Sequence, residues 1–257
     1  MKTKEIGFIG GGRITKIILK ALKNESVDLE STVVYDPDAE VCSKLKQQFP
    51  GIQIADSQEA PARQSLVVLA VHPPVLKEIF PELKTMINIE SVVLSLAPKF
   101  TISKISEALG TERVVRMIPN ATSYINEGYN PITFASGMDE KTKNQLMKFL
   151  KPLGKNFETD ESKLESYAIV SAMLPTYFWF QWQEMENIAR ETGLSPKEAQ
   201  KAVKVTLKKA WELYYTSDLT AEEVMDLIPV KPMRDDEDKI KESFRTRLLG
   251  LFEKIKP

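Results

Sequence analysis

The segment Ile6-Gly7-Phe8-Ile9-Gly10-Gly11-Gly12-Arg13-Ile14-Thr15 sets the tightest limits on what this chain can fold into. A short apolar run ends in closely spaced glycines and passes straight into an amphipathic helical pattern. Gly10 permits a tight turn, and Gly12 lets backbone approach a phosphate with no Cβ in the way. The helix that follows presents free N–H groups and the positive end of its dipole. That order suits the pyrophosphate of a dinucleotide. Thr15 departs from the pattern, because Gly or Ala usually stands there to allow close helix–strand packing.

Composition narrows the partners. Lys and Arg number 35 against 36 for Asp and Glu, so no strong field draws the chain to nucleic acid or an anionic membrane. Cys42 is the only cysteine and His72 the only histidine. An intrachain disulfide and a zinc site built from several Cys or His ligands are excluded. The N-terminal apolar run is broken by glycines too early for a signal peptide. No stretch approaches the ~20 apolar residues that a membrane span needs. A reducing, cytoplasmic setting is expected.

Apolar runs alternate with helical patterns through the first half, which predicts a parallel sheet covered by helices. Strands are expected at about Lys4–Ile9, Ser31–Tyr35, Ile52–Ala55, Leu66–Val71, Ser91–Leu96 and Arg113–Met117. Two more are expected at Pro131–Ala135 and Lys155–Glu158. Leu66–Val71 is apolar throughout, as in a central strand buried on both faces. Helices are expected at Ile14–Leu22, Asp38–Gln48 and Glu140–Leu150. Beyond about Asp160 the strand signals stop, and helical patterns cover Lys163–Ala172, Thr176–Thr192, Pro196–Thr216, Ala221–Leu227 and Asp236–Ile255. Ser195-Pro196-Lys197-Glu198 reads as an N-cap, a first-turn proline and a capping-box acid. The expectation is a Rossmann α/β domain over 1–160 and an all-helical domain over 161–257.

Candidate site residues cluster at the carboxyl ends of the strands, where open α/β sheets bind ligands. Asp36 closes the second strand and can accept hydrogen bonds from the adenosine ribose of NAD while repelling the extra phosphate of NADP. The alternative is a turn and N-cap at Asp36-Pro37-Asp38. His72 follows Ala70 and Val71, with Pro73 and Pro74 ending the strand and fixing the loop. Lys99, after Ser95-Leu96-Ala97-Pro98, can neutralise a substrate carboxylate or a cofactor phosphate, or be merely solvated. Asn120, after Arg116-Met117-Ile118-Pro119, offers a donor and an acceptor to a nicotinamide amide or a polar substrate group, or is a turn residue. The stripe Tyr177, Phe178, Trp179, Phe180, Trp182 and Met185 reads as packing, including packing between subunits, with Tyr177 a candidate for the cleft. Asp235–Asp238 are acids opening a helix rather than metal ligands.

Taken in order, Ile6–Gly12, Leu69-Ala70-Val71-His72-Pro73, Ser95-Leu96-Ala97 and Val115-Arg116-Met117-Ile118-Pro119-Asn120 resemble the pyrroline-5-carboxylate reductase family. Its members carry IGFIGxG, LAVKP, SxxAG and VRxMPN at similar intervals. In the helical half, Ser171–Tyr177 lies where members carry SGSGPAY, and Lys209–Leu213 where they carry GAAxxL. The resemblance implies an NAD(P)H-dependent reductase of proline biosynthesis. Its helical domains would interlock in a homodimer, and a small cyclic imine would bind between dinucleotide and helices. It implies that Gly10, Gly12, Arg13 and Ile14 line the phosphates, that Ala70, His72 and Pro73 border the nicotinamide, and that Asn120 faces the reacting ring. NAD is weakly favoured over NADP by Asp36.

The departures fall on the substrate side. Ala172, Met173 and Leu174 replace smaller residues, His72 replaces the lysine of LAVKP, and Pro98-Lys99 replaces AG. The family's SPGGTT segment gives way to Pro229–Asp236, where Lys231 or Arg234 can hold a carboxylate. His72, then Tyr177, are the proton-donor candidates. A different imine or an oxo substrate is a variant of this reading. A dinucleotide-binding regulator or scaffold without turnover is the second reading, and reduction of a deazaflavin, against which the helical half argues, is the third.

Overall fold

The computed structural model describes residues 5–257. The first strand, β1 (Ile6–Ile9), is buried throughout and pairs in parallel with β2 (Thr32–Tyr35) on one side and β4 (Leu66–Leu69) on the other. Lys4, where that strand was expected to begin, lies outside the described residues. With β3 (Gln53–Ile54), β5 (Val92–Ser95), β6 (Val114–Met117), β7 (Gly128–Phe134) and β8 (Gly154–Glu158), the described strands form one eight-stranded sheet. Its order is β3-β2-β1-β4-β5-β6-β7-β8.

The sheet is parallel through β6, as expected from the alternation of apolar runs and helices, and becomes mixed at its far edge. β1 to β6 run parallel, but β7 is antiparallel to β6 and β8 is parallel to β7. The cause is connection length. The link from Met117 to Gly128 holds only a single 3₁₀ turn, Ala121–Ile125, and a parallel crossover needs a dozen or more residues. Helix α6 (Glu140–Leu150) then supplies such a crossover between β7 and β8.

The remaining crossovers carry α1 (Arg13–Asn24), α2 (Ala39–Gln48), α3 (Glu59–Ala62), α4 (Pro73–Met86) and α5 (Ile102–Leu109). The fixed loop expected at Pro73-Pro74 is instead the first turn of α4, with His72 as N-cap. Proline suits that place because its missing N–H would have had no helical partner. Ile18, Leu19 and Leu22 of α1 pack with Phe8, Val34 and Val68 on one face of the sheet. Leu76, Phe80 and Leu83 of α4 pack with Ile9, Val67 and Val93 on the other. A strand run buried on both faces is thereby explained.

The chain divides into two compact units. The sheet unit takes the described residues up to Ala172 together with Phe252–Pro257, and the second unit is Met173–Leu251. This boundary falls beyond the expected Asp160. The segment after β8 is helical, yet it belongs to the sheet unit because Leu164, Glu165, Ala168 and Ile169 are buried there. Within it α7 (Leu164–Tyr167) runs into a π-helical stretch, Ala168–Ala172. Arg116, a charged residue at the centre of β6 and 1% exposed, donates from Nη1 to Glu161 at 2.9 Å and from Nη2 to Glu165. Glu161 also accepts the Ile102 N–H at 2.7 Å.

The second unit consists of α8 (Leu174–Glu191), α9 (Pro196–Thr216), α10 (Ala221–Asp226) and most of α11 (Glu237–Ile255). The capping box at Ser195 and Glu198 is present, and Thr220 and Glu223 form another. Phe180 is 68% exposed, Trp211 61% and Val230 72%, so this unit leaves large apolar side chains uncovered in the single chain.

Removing Arg116 leaves a carboxylate at Glu165 buried and unpaired. Arg116→Met is therefore expected to destabilise the protein by about 3–5 kcal/mol. Urea unfolding measures the loss, and adding Glu165→Met to the same chain is expected to restore part of it.

Candidate dinucleotide cleft

The turn after β1 depends on Gly10. Its φ is +103°, and a Cβ added there would lie 2.6 Å from the Ala70 carbonyl oxygen and 2.9 Å from Val71 Cγ1. Both the backbone conformation and the close approach of β1 to β4 exclude a side chain. Thr15, the departure from the glycine pattern, is fully buried and donates its hydroxyl to the Gly10 carbonyl at 2.6 Å. The hydroxyl that occupies the crossing point also ties helix to turn. Gly12, the N-cap of α1, differs from Gly10, since a Cβ there would meet no atom within 4 Å. Its open side faces a space that a ligand's phosphate can enter beside the helix N-terminus.

Asp36 organises the same loop. Its Oδ2 accepts the Gly11 N–H at 2.7 Å and its Oδ1 accepts the Asp38 N–H at 2.9 Å. Each carboxylate oxygen retains a lone pair for a further donor such as a ribose hydroxyl. Asp38 is the N-cap of α2, as the alternative reading of Asp36–Asp38 expected for a turn. Cys42 donates to the Asp36 carbonyl, and burial pushes its thiol up, keeping it protonated at neutral pH.

Two neighbouring cavities open at the strand ends. One, about 710 Å³, is lined by Gly11, Gly12, Arg13, Ile14, Lys16 and Lys44, and by Ala70 and His72 at the end of β4. Its charged walls, Arg13, Lys16 and Lys44, are all cationic. The other, about 230 Å³, is lined by Ile14, Ala70, Val71, His72 and Pro73, and by the β5 and β6 ends at Leu96, Ala97, Pro98 and Pro119. Its lining is apolar apart from His72, so its walls offer apolar contact to a ring. His72 is exposed, makes no capping bond with its side chain, and belongs to both linings.

The structure thus gathers Gly12, Arg13, Ile14, Ala70, Val71, His72 and Pro73 around one cleft, with Gly10 and Asp36 shaping its floor. It does not bring every expected residue there. Asn120 is 5% exposed, and its side-chain amide is already engaged on both sides. Its Oδ1 accepts from the Thr122 N–H and hydroxyl at 3.0 and 2.8 Å, and its Nδ2 donates to the carbonyl and hydroxyl of Ser171 at 3.3 and 3.2 Å. Asn120, expected to face a reacting ring, here has its side chain turned to Thr122 and Ser171. It caps the turn after β6 and holds the π-helical stretch, leaving no free donor or acceptor in this state.

Lys99 is exposed, lies outside both linings, and adopts φ +73°. Tyr177, Lys231 and Arg234 belong to the second unit. Tyr177 packs edge-on against Phe244, and burial pushes its phenol up. Lys231 and Arg234 are exposed around the 3₁₀ turn Arg234–Asp236. Sequence reasoning missed Lys16 and Lys44. Lys16 stands one helical turn beyond Arg13, a spacing visible in the sequence, whereas Lys44 reaches the cleft only because α2 packs beside α1. The clamp role of Arg116 was also missed, although a lone charge within an apolar strand was its signal.

The family model described as "NADP oxidoreductase coenzyme F420-dependent" matches residues 5–99. The chain is 25% identical to the pyrroline-5-carboxylate reductase of Pseudomonas aeruginosa over 87% of its own length and 83% of that protein. It is 27% identical to the Escherichia coli enzyme over 77% and 74% of the two chains. The crystal structure of Plasmodium falciparum pyrroline carboxylate reductase with NADP bound superposes with a TM-score of 0.82. That match is 20% identical and covers 100% of this chain and 98% of the other. A pyrroline-5-carboxylate reductase from Coxiella burnetii gives 0.71 at 24% identity, covering 99% and 95%. The chain has the fold of these reductases, and its sequence is distantly related to theirs.

Lys99 holds a left-handed conformation that costs an L-residue about 1–2 kcal/mol and glycine almost nothing. Lys99→Gly is expected to raise stability by about 0.5–1 kcal/mol once the extra flexibility of unfolded glycine is subtracted. A higher urea midpoint at unchanged slope is the measurement.

Proposed function

We propose that this chain is an NAD(P)H-dependent oxidoreductase that reduces the C=N bond of a small, cyclic, carboxylate-bearing imine. The observation that carries the reading is the juxtaposition of two subsites. A cation-lined cleft opens at the Gly12 N-cap, and an apolar cavity, with His72 its one titratable group, adjoins it at the ends of β4, β5 and β6. The distant likeness to pyrroline-5-carboxylate reductases supports the choice of bond and of substrate class. The NADP named with the Plasmodium structure supports the cofactor class.

A nicotinamide dinucleotide held in the cleft would supply the hydride. The residues of the chain do the rest. Gly10 and Gly12 shape the phosphate turn, while Arg13 and Lys16 neutralise the diphosphate beside the amides of α1. Asp36 receives the adenosine ribose and tilts preference toward NAD(H). Ala70, Val71, Pro73, Ala97 and Pro98 exclude water from the nicotinamide side. His72 holds the proton that the imine nitrogen requires, since hydride addition to a neutral imine would leave a nitrogen anion. Tyr177 is the second donor candidate, and Lys99, Lys231 and Arg234 are the candidate carboxylate anchors. A second copy of the chain covers the exposed apolar helices of the second unit, making a homodimer.

A dinucleotide-binding protein without turnover is the second reading. It is favoured by the saturated Asn120 amide and by the exposed charged segment Lys231–Asp236.

Incubation with NADH or NADPH and pyrroline-5-carboxylate, following dinucleotide absorbance and proline formation, tests the proposal. Oxidation of NADH faster than NADPH is expected. His72→Ala is expected to lower turnover about 100-fold, the scale of one general acid. NADH that binds but is never oxidised across a panel of cyclic imines and carbonyls would establish the second reading instead. Sedimentation at twice the chain mass is expected for the dimer.

A further inference from the structure

The sole histidine stands at the junction of the two cavities rather than inside either one. His72 lines the cation-rich cleft at the glycine turn and also the apolar cavity walled by Pro73, Pro98 and Pro119. The charged side chains that share these linings are Arg13 and Lys16 from α1 and Lys44 from α2, all positive. The second cavity adds no charge from β4, β5 or β6. On its own element, Lys77 and Glu78 follow more than a turn into α4. Asp36 lines a neighbouring cavity and accepts the Gly11 N–H at the floor of this one, so its negative charge adjoins the glycine turn. The imidazole thus shares its cleft with three cations, of which Lys44 is ion-paired to Glu40, and stands at the N-cap of the 14-residue helix α4.

We propose that His72 takes up a proton when a diphosphate-bearing dinucleotide occupies the cleft, so that cofactor binding also loads the proton that reduction consumes. The inference rests on the dinucleotide reading of the cleft and goes beyond it in naming a coupling. An anion settling at Gly12 adds negative charge to the cleft that His72 lines, and a nearby negative charge favours the protonated imidazole. Imidazole is the side chain whose ordinary titration makes this uptake substantial near neutral pH. A lysine at the same position would carry its charge before and after binding and would couple nothing. The balance closes with the proposed reaction: hydride goes to the imine carbon, the His72 proton goes to the nitrogen, and the imidazole is left neutral. The side chain is exposed and makes no capping bond, so its replacement leaves the fold intact.

One histidine in the chain means that one imidazole Hε1 signal reports this site alone. The test is a proton NMR pH titration of that signal in the full-length protein, free and saturated with NADH. The titration midpoint is expected to rise by about half a pH unit or more on saturation. ADP-ribose, which keeps the diphosphate and lacks the nicotinamide, is expected to produce the same rise. Calorimetry at pH 7.5 in two buffers of different ionisation enthalpy is expected to show proton uptake by the natural chain and none by His72→Lys or His72→Gln. NADH binding with a midpoint that stays fixed or falls overturns the coupling while leaving the dinucleotide reading intact. Equal proton uptake by the natural chain and His72→Gln overturns it equally. No NADH binding at any pH rejects the dinucleotide reading, and the coupling with it.

Discussion

Everything at the cleft depends on how closely the turn after β1 approaches the end of β4. Gly10 accepts φ +103° and leaves no room for a Cβ beneath the Ala70 carbonyl. Its N–H bonds to the Tyr35 carbonyl at 2.8 Å, and the Ala70 N–H bonds to the Ile9 carbonyl at 2.8 Å. Three strand ends are thereby drawn into one line of backbone. The helix that follows must start where the glycines end, so its N-terminal amides face the same opening as His72 and the β5 and β6 ends. Thr15 reinforces the arrangement by fastening α1 to the turn that it leaves.

The second organising element is β6 and the loop that follows it. A strand otherwise made of Val and Met carries one guanidinium, and the two carboxylates that it holds both come from the segment after β8. Three residues beyond Met117, Asn120 reaches the π-helical stretch through Ser171. Thus the stretch that reads Val-Arg-Met-Ile-Pro-Asn serves two purposes. Pro119 walls the apolar cavity, while Arg116 and Asn120 fasten the polypeptide that leads into the second unit. Burying a charge costs several kcal/mol unless it is paired, so such a residue is retained only where its partners are built around it.

Much of the fold was legible because burial on both faces leaves a strong signature. Strands β4, β5 and β6 were found within one or two residues, and α6 and α9 at their observed limits. These are segments where apolar runs or caps such as Ser195 with Glu198 act locally. The direction of β7 was not legible from its composition, since a strand reads alike in either orientation. Its reversal follows from the short link across Ala121–Ile125. The helices after β3, β4 and β5 were passed over because short α3 and α5 show few periods. In α4, Pro73, Pro74 and Pro81 look like breakers until the first two are recognised as first-turn residues.

For the candidate cleft, the sequence by itself determined the glycine turn, the acid after β2 and the set of strand ends at which ligand groups could gather. These follow from conformational limits that individual residues carry with them: glycine at positive φ, helix amides without partners, side chains alternating along a strand. Only the tertiary structure decided which neighbours those residues share. It brought Lys44 into the same cavity lining as Arg13, put His72 between two cavities, turned Asn120 inward to Ser171 and paired Arg116 with Glu161 and Glu165. Those outcomes depend on packing between elements far apart in the chain, where the distances that govern charge and hydrogen bonding exist only after the elements have met.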